Sequence, residues 1–308
     1  GKIGGAERSL TLMSQYSIMN LNKKYVLATI GGENEWSSWA RSLKIDPLIT
    51  SPGKSSIKDM IDITRHIKNS DFDVVYAIGL RLSLVLRFLK FILRMEYTLI
   101  HGVRWVPDGT NKLDVVTRFI ERISSKFIDG YIVNSKACKS ILEKKSKIVY
   151  SKIFTIYNGV KKIDKLNKKN SSKKILTVAN MSPRKGYIEY IKVIQKVISK
   201  HPDVKFVFVG SDNMNGLVMK SVEKNNLSKN VEYLGFMKNV ESEFLSSYLF
   251  VLPSLYSEGC PTSIIEAMQY GIPCVAYDIC GINELIINGE TGLLAKEKDS
   301  NMLAMHIC

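Results

Sequence analysis

The sequence has few cysteines and histidines, and neither type is grouped in a way that predicts a disulfide framework or a metal site. The five cysteines are an odd number, are scattered along the chain and include no C-x-x-C pair. The four histidines lie far apart, so no H-E-x-x-H or other zinc-binding spacing occurs. Scattered, unpaired cysteines are typical of a reducing compartment. We therefore expect free thiols, no metal centre and a cytoplasmic protein.

Long hydrophobic runs are also missing. No uninterrupted apolar run is long enough to span a bilayer, and no signal-peptide pattern is present. With 45% hydrophobic and 24% charged residues, the composition is that of an ordinary folded protein. A length of 308 residues exceeds what one hydrophobic core usually organises, so two domains are expected.

Positive charge is concentrated in the first half of the chain, within a formal net charge of +15. Residues 1–160 hold 25 basic and 14 acidic residues, and residues 161–174 add seven lysines against one aspartate. Residues 175–308 hold 12 basic and 14 acidic residues. Basic surface attracts nucleic acid, anionic lipid or anionic substrate, and charge alone does not choose among them. No recognisable RNA-binding motif interleaves aromatic residues with the lysines, so nucleic acid is not expected as a partner.

Short apolar segments rich in β-branched residues alternate with helical patterns on both sides of the polar segment 161–174. This alternation predicts parallel sheets with helices on their faces. The candidate strands lie at 25–30, 74–78, 98–100, 130–133 and 153–156, and then at 175–179, 205–209, 231–234, 250–252, 274–276 and 293–295. We therefore predict two α/β domains, at 1–160 and 175–308, joined by a linker at 161–174. The chain opens on a glycine-rich turn that would normally follow a strand, so we also expect that a first strand is missing from the sequence.

One helical segment, Leu80 to Tyr97, is unusually apolar. At about 100° per residue, Ser83, Arg87, Lys90 and Arg94 fall within one narrow arc. Two interpretations stay open. The helix is either a core helix with a thin solvent-facing stripe, or it inserts partly at an anionic membrane surface.

Two glutamates in the last third of the chain are separated by a proline. Because Pro261 fits only a loop or a first helical turn, Glu258 is predicted on a loop and Glu266 in a helix over residues 262–270. The N–H groups at such a helix start suit a phosphate, and the carboxylates suit sugar hydroxyls. Ser263 and Glu266 also have the S-x-x-E spacing of a capping box, in which Glu266 would only hydrogen-bond the helix start.

The segment PSLYSEGCP, followed by EAMQYGIPCV, resembles the E-x7-E signature of retaining family 4 glycosyltransferases. This resemblance implies the α/β GT-B fold, in which two Rossmann-like parallel-sheet domains face a cleft. It implies that 1–160 is the acceptor-side domain and that 175–308 is the nucleotide-sugar-binding domain. By the same resemblance, the closing helices of the second domain are expected to be missing from the sequence. It also implies metal-independent transfer of a sugar from a nucleotide-sugar donor to a hydroxyl acceptor. In that role Glu258 is catalytic and holds the donor sugar, Glu266 binds the ribose hydroxyls, and the N–H groups of Gly259 and Cys260 help to bind the diphosphate.

The segment VANMSPRKGY at 178–187 ends a strand and begins a helix, and it resembles the family's G-R-L-x-x-x-K-G segment. Lys185 matches the family lysine, whose charge would stabilise the leaving diphosphate in a catalytic role. Asn180 replaces the family's arginine at the donor site, and Arg184 supplies a second positive charge there. A solvent-facing basic turn is the alternative interpretation.

Three single positions complete the expected site. His101, at a strand end, resembles the position that faces the donor sugar across the cleft and is predicted to be catalytic. A purely structural histidine is the alternative. Gly5 resembles part of the loop whose backbone approaches the donor phosphates or the acceptor, and a simple strand-to-helix turn is the alternative interpretation. Phe236 lies in a segment that resembles the loop bordering the nucleotide base.

The resemblance leaves the base, the sugar, the acceptor and the linkage open. The basic first half and the apolar helix suggest a lipid-linked or saccharide acceptor at the inner face of the cell membrane, as in surface polysaccharide or lipopolysaccharide synthesis. No cofactor is expected besides the nucleotide-sugar substrate. Other classes stay open: a GT-B nucleotide-sugar epimerase that needs no acceptor, a basic non-enzymatic binding protein, or an inactive fragment.

Overall fold

A computed structural model describes residues 5–20, 26–29, 33–49, 57–104, 112–163, 173–256 and 258–308. The chain divides into two compact units, Gly1–Asn158 and Gly159–Cys308. Each unit is an α/β structure built on parallel strands. Most of the predicted linker, residues 164–172, lies outside the described residues.

The first unit contains a four-stranded parallel sheet whose strands follow chain order. The described strands of the first unit are β1 (Ala28–Thr29), β2 (Leu48–Ile49), β3 (Val74–Ile78), β4 (Thr98–Val103), β5 (Gly130–Val133) and β6 (Ile153–Thr155). Its described helices are α1 (Gly5–Asn20), α2 (Glu35–Ser42), α3 (Ile57–Lys68), α4 (Leu80–Ile92), α5 (Lys112–Ser124) and α6 (Lys136–Lys144). The sheet is β3-β4-β5-β6, and β1 pairs separately with β2. Helices connect the strands of the sheet, as parallel neighbours require.

The second unit contains a six-stranded parallel sheet with the order β12-β11-β10-β7-β8-β9. Its strands are β7 (Lys174–Val178), β8 (Lys205–Val209), β9 (Val231–Tyr233), β10 (Leu249–Leu252), β11 (Cys274–Tyr277) and β12 (Gly292–Ala295). Its described helices are α7 (Tyr187–Lys200), α8 (Leu217–Lys224), α9 (Glu241–Leu245), α10 (Thr262–Gln269) and α11 (Ser300–Ile307). The first strand of this unit thus lies beside its fourth, and the chain runs to opposite edges from these two. In such a doubly wound sheet the crevice for a ligand opens at the carboxyl ends of β7 and β10.

Aromatic packing fixes α7 on the second sheet. Tyr187 and Tyr190 of α7 are 1% and 0% exposed, and Phe206 and Phe208 of β8 are fully buried. The rings of Tyr187 and Phe208 pack edge to face, with their centroids 5.1 Å apart. Burial of each such side chain stabilises the fold by about 1.5 to 3 kcal/mol. The start of α7, and the turn that leads into it, are therefore firmly placed at the crevice.

Helix α4 turns part of its polar arc towards the core. Ser83 and Arg87 are 0% and 1% exposed, whereas Phe88 and Phe91 are 63% and 64% exposed. Arg87 can be buried because it is paired: its Nη2 lies 2.6 Å from Glu121 Oε1. The prediction of a solvent-facing polar stripe is therefore wrong for Ser83 and Arg87. Partial insertion of this helix at an anionic membrane surface stays a prediction. No helix in the described part of the chain is long and apolar enough to cross a membrane.

Candidate active site

A lysine and a glutamate form an ion pair at the crevice of the second sheet. Lys185 lies on the loop after β7, and Glu258 lies on the loop after β10. The two side chains meet, with Lys185 Nζ 2.6 Å from Glu258 Oε1. The pair is largely buried, since 23% of the lysine side chain and 14% of the glutamate side chain are exposed. The fold thus brings together two residues for which the sequence predicted catalytic roles.

Backbone contacts hold the loops around this pair against each other. The Leu255 N–H donates to the Arg184 carbonyl at 2.9 Å, and the Glu258 N–H donates to the Cys280 carbonyl at 2.9 Å. Gly281 has a φ of +87°, and a Cβ atom on it would lie 2.2 Å from the Glu258 carbonyl oxygen. Only a glycine allows this close approach, so Gly281 sets the position of the Glu258 loop.

Helix α10 begins without a side-chain cap. Pro261 occupies its N-cap position, and Thr262 is its first residue. A capping box needs the serine at the N-cap, but Ser263 lies inside the first turn, so that interpretation of Ser263 and Glu266 is wrong. Glu266 is half-buried in the second turn of the helix. Its binding of ribose hydroxyls stays a prediction.

Asn180 joins two loops at the crevice. Its Oδ1 accepts a hydrogen bond from the Ser211 N–H at 2.9 Å, which ties the end of β7 to the loop after β8. Because the asparagine is neutral, the positive charge on the β7 loop comes from Arg184 and Lys185. Both side chains are half-buried on a 3₁₀ turn that ends where α7 begins.

The other predicted donor-binding residues occur in both units. Gly259 and Cys260 are buried in the loop before α10. Phe236 is half-buried on the loop after β9, at the same carboxyl edge of the sheet. Gly5 is exposed at the first residue of α1 in the first unit. Their donor-binding roles stay predictions.

His101 belongs to a buried charged cluster in the first unit. Its Nδ1 lies 3.0 Å from Arg87 Nη2 and 3.2 Å from Glu121 Oε1. None of the three residues is more than 5% exposed. Only one contact to Nδ1 can be a hydrogen bond in a given tautomer, because this atom either accepts from the guanidinium or donates to the carboxylate. Either way, the imidazole ring is fixed in orientation.

The partners of Glu121 keep its carboxylate ionised. Burial alone raises the pKa of this carboxyl group, but its contacts with His101 and Arg87 outweigh burial and lower the pKa to about 2. The negative charge is therefore balanced inside the cluster. His101 also lines a cavity of about 300 Å³. The catalytic role of His101 stays a prediction, now with its supporting contacts known.

Sequence reasoning did not find Arg87 and Glu121 as the partners of His101. Glu121 is 20 residues from His101 and lies on another element, so only the tertiary fold reveals the contact. One signal was available: an ionisable residue at the end of an apolar strand needs a buried polar partner.

The family of the second unit follows from its sequence. Residues 160–307 match the model of the family "Glycosyl transferases group 1". The second unit of this chain is a member of the glycosyl transferases group 1 family. The loops that hold Lys185 and Glu258 lie inside the matched residues, and the unit is a glycosyltransferase domain with the α/β architecture predicted for it.

The chain is similar to glycosyltransferases over most of its length. The UDP-Gal:alpha-D-GlcNAc-diphosphoundecaprenol alpha-1,3-galactosyltransferase of Escherichia coli is 27% identical over 266 residues, which are 80% of this chain and 68% of that protein. The poly(glycerol-phosphate) alpha-glucosyltransferase of Bacillus subtilis is 23% identical over 326 residues, covering 97% of this chain and 47% of that protein. The crystal structure of Anabaena HepE in complex with UDP and glucose matches with a TM-score of 0.82 at 21% identity. That match covers 100% of this chain and 86% of HepE, and it confirms the predicted GT-B fold.

Proposed function

We propose that this glycosyltransferase moves a sugar from a UDP-sugar to a hydroxyl group of an acceptor, with retention of configuration and without a metal, in the synthesis of a cell-surface polysaccharide. The observation that carries the proposal is the Lys185–Glu258 pair at the carboxyl ends of β7 and β10. Doubly wound sheets bind nucleotides at this position. Uracil is the proposed base because HepE was crystallised with UDP and the Escherichia coli relative is named for UDP-Gal.

Each group at the crevice has a distinct part in this reaction. As the bond from the anomeric carbon to the diphosphate breaks, negative charge grows on the leaving phosphate oxygen. Lys185 and Arg184 would stabilise that charge, together with the N–H groups at the start of α10. Glu258 would hold hydroxyls of the donor sugar, and its contact with Lys185 keeps the ammonium group at the crevice. Glu266 would hold the ribose hydroxyls.

The first unit is proposed to receive the acceptor at a membrane surface. Adjacent helices expose a set of large apolar side chains at 52% or more: Phe88, Phe91 and Ile92 on α4, and Val115, Val116, Phe119 and Ile123 on α5. Exposed basic residues lie among or just after these side chains in the sequence, including Arg94, Arg122 and Lys126. Apolar side chains beside cations suit the interface of an anionic bilayer. A lipid-linked acceptor, like the one in the name of the Escherichia coli relative, would be presented there.

The transferase proposal is tested by incubating the full chain with UDP-glucose or UDP-galactose, with and without membrane extracts as the source of acceptor. We expect UDP release and sugar incorporation that depend on the acceptor and fall in Lys185→Ala. Conversion of the donor to another UDP-sugar with no acceptor present would favour the epimerase instead. A folded chain that binds no UDP would contradict the proposal.

A further inference from the structure

The cavity that His101 lines is located where parallel sheets bind ligands. It lies at the carboxyl ends of β3 and β4, with walls from the start of α4, the side of α5 and the end of α6. Its volume of about 300 Å³ is at the lower end of the range for small-molecule sites. A small ligand group, rather than a whole oligosaccharide, fits this volume.

Two arginines in the cavity wall lack a carboxylate partner among the described residues. Arg104 and Arg118 both line the cavity and are half-buried. Arg104 contacts neutral groups, since its Nη1 donates to Asn158 Oδ1 at 2.5 Å and its Nη2 donates to the Tyr76 hydroxyl at 3.2 Å. The Nε of Arg104 and the Nη1 of Arg118 are buried and make no hydrogen bond with any residue that the structure describes.

The carboxylate in the same wall does not balance these arginines. Glu121 lines the cavity, but its Oε1 is bound to Arg87 Nη2 at 2.6 Å and lies beside His101. The charge of Glu121 is therefore already balanced within the buried cluster. The wall keeps a surplus of positive charge from Arg104 and Arg118.

Two further features favour an anion in the cavity. The Ser146 hydroxyl also lines the cavity and is buried, and it has no hydrogen-bond partner in the described part of the chain. Helix α4 starts at the cavity after Gly79, which provides no side-chain cap for its first N–H groups. Buried donors left unsatisfied are costly, so a ligand that accepts hydrogen bonds from several of them would bind favourably.

We propose that this cavity binds a phosphate group, as a monoester or diester, of the acceptor, and that Arg118 and Arg104 are its ligands. The tetrahedral oxygens of a phosphate can accept hydrogen bonds from donors that converge from several wall elements, including the Ser146 hydroxyl. The inference rests on the proposed function, in which the first unit receives the acceptor. It adds that the acceptor carries a phosphate group and identifies the residues that select it.

The test titrates glycerol 3-phosphate, and separately inorganic phosphate, into the full chain and two variants, with binding measured by calorimetry. Arg118→Met removes the charge from the cavity and keeps an apolar stem. Arg122→Met is the matched control, because Arg122 is exposed one turn later on α5 and does not line the cavity. Glycerol 3-phosphate affinity should fall about tenfold or more in Arg118→Met and change less than about twofold in Arg122→Met. Arg118→Lys, which keeps the charge but not the planar donor geometry, should retain part of the affinity and serves if Arg118→Met does not fold.

Several results would overturn the inference. These are a wild-type chain that does not bind glycerol 3-phosphate, an equal loss of affinity in both methionine variants, or no loss in Arg118→Met. Inorganic phosphate that binds as tightly as glycerol 3-phosphate would assign the cavity to free phosphate and not to an acceptor.

Titrating UDP into the same samples separates this inference from the proposed function. We expect UDP affinity to be equal in the wild type and Arg118→Met, and saturating UDP to leave glycerol 3-phosphate bound. Displacement by UDP would place the phosphate in the donor site and overturn the inference. A wild-type chain that binds glycerol 3-phosphate but not UDP would contradict the proposed function instead.

Discussion

Lys185 and Glu258 are 73 residues apart in the sequence, and their side chains are 2.6 Å apart in the structure. They meet because β7 and β10 are neighbours, although two strands lie between them in chain order. The contact joins the loop that carries positive charge to the loop that leads into α10. Binding of a diphosphate at one loop would therefore depend on the position of the other.

Glu266→Ala tests the ribose contact. If Glu266 hydrogen-bonds the ribose hydroxyls, the variant should bind UDP more weakly by about 1 to 3 kcal/mol. The wild type should also prefer UDP to 2′-deoxy-UDP, and the variant should not. Calorimetric titration with both nucleotides measures these differences. Unchanged UDP affinity together with a lowered melting temperature would indicate a structural role for Glu266.

Gly281→Ala tests how the Glu258 loop is positioned. A Cβ atom at Gly281 would lie 2.2 Å from the Glu258 carbonyl oxygen, whereas one at Gly289 would meet nothing within 4 Å. Both glycines have positive φ, +87° and +84°. Backbone strain should therefore lower the free energy of unfolding of each alanine variant by about 1 kcal/mol. In Gly281→Ala the free energy of unfolding should fall by about 2 kcal/mol more, and UDP binding should also weaken.

Gly289→Ala is the control for this comparison. Denaturant unfolding measures the stability of both variants, and UDP titration measures their UDP affinity. Equal losses of stability and unchanged UDP affinity in both would show that the close approach at Gly281 does not position the site.

The sequence allowed the α/β alternation and the motif loops to be predicted because these depend on local patterns. The strands at 74–78, 130–133 and 205–209 were predicted with the bounds that the structure has, since each is a short apolar run between helical patterns. The orientation of α4 could not be predicted. A hydropathy pattern places a charged side chain on the exposed face. Arg87 is buried instead, because its charge is paired with Glu121, 34 residues away in the sequence.

The candidate site shows the same limit. Motif spacing placed Lys185 and Glu258 on loops, but only the strand order shows that the loops meet. The close approach of Gly281 and the cluster around His101 depend on tertiary contacts that have no local pattern.

Stability should depend on pH through Glu121. Its pKa falls from 4.5 to about 2 on folding, so the carboxylate stabilises the fold by about 3 kcal/mol above pH 4.5. That contribution should be lost as the pH falls from about 4.5 to about 2, because the unfolded chain takes up the proton first. Denaturant unfolding between pH 7 and pH 2.5 should show this loss in the wild type.

Two variants check the assignment to Glu121. Glu121→Gln should remove this part of the pH dependence, while Glu96→Gln, at an exposed position of the same unit, should keep it. Arg87→Met should destabilise the chain by about 3 to 5 kcal/mol at pH 7, since it leaves a buried carboxylate without its guanidinium partner. A pH dependence that is identical in the wild type and Glu121→Gln would contradict this account.

The exposed apolar side chains of α4 and α5 should govern membrane binding. Phe88→Glu and Phe119→Glu each place a negative charge among these side chains and should reduce sedimentation with anionic liposomes. Val149→Glu is the control, because Val149 is also exposed, at 64%, but lies after α6. If all three variants sediment with anionic liposomes as much as the wild type does, these helices are ruled out as the membrane contact.

The most direct test of the proposed donor site compares UDP with uridine, by calorimetry, in the wild type, Lys185→Ala and Lys192→Ala. Lys192 is an exposed lysine farther along α7 and controls for the loss of a positive charge. We predict that the wild type binds UDP much more tightly than uridine. Lys185→Ala should lose about tenfold in UDP affinity with no change for uridine, and Lys192→Ala should behave as the wild type. A wild-type chain that does not distinguish UDP from uridine, or equal effects of the two lysine variants, would contradict a diphosphate site at Lys185 and Glu258.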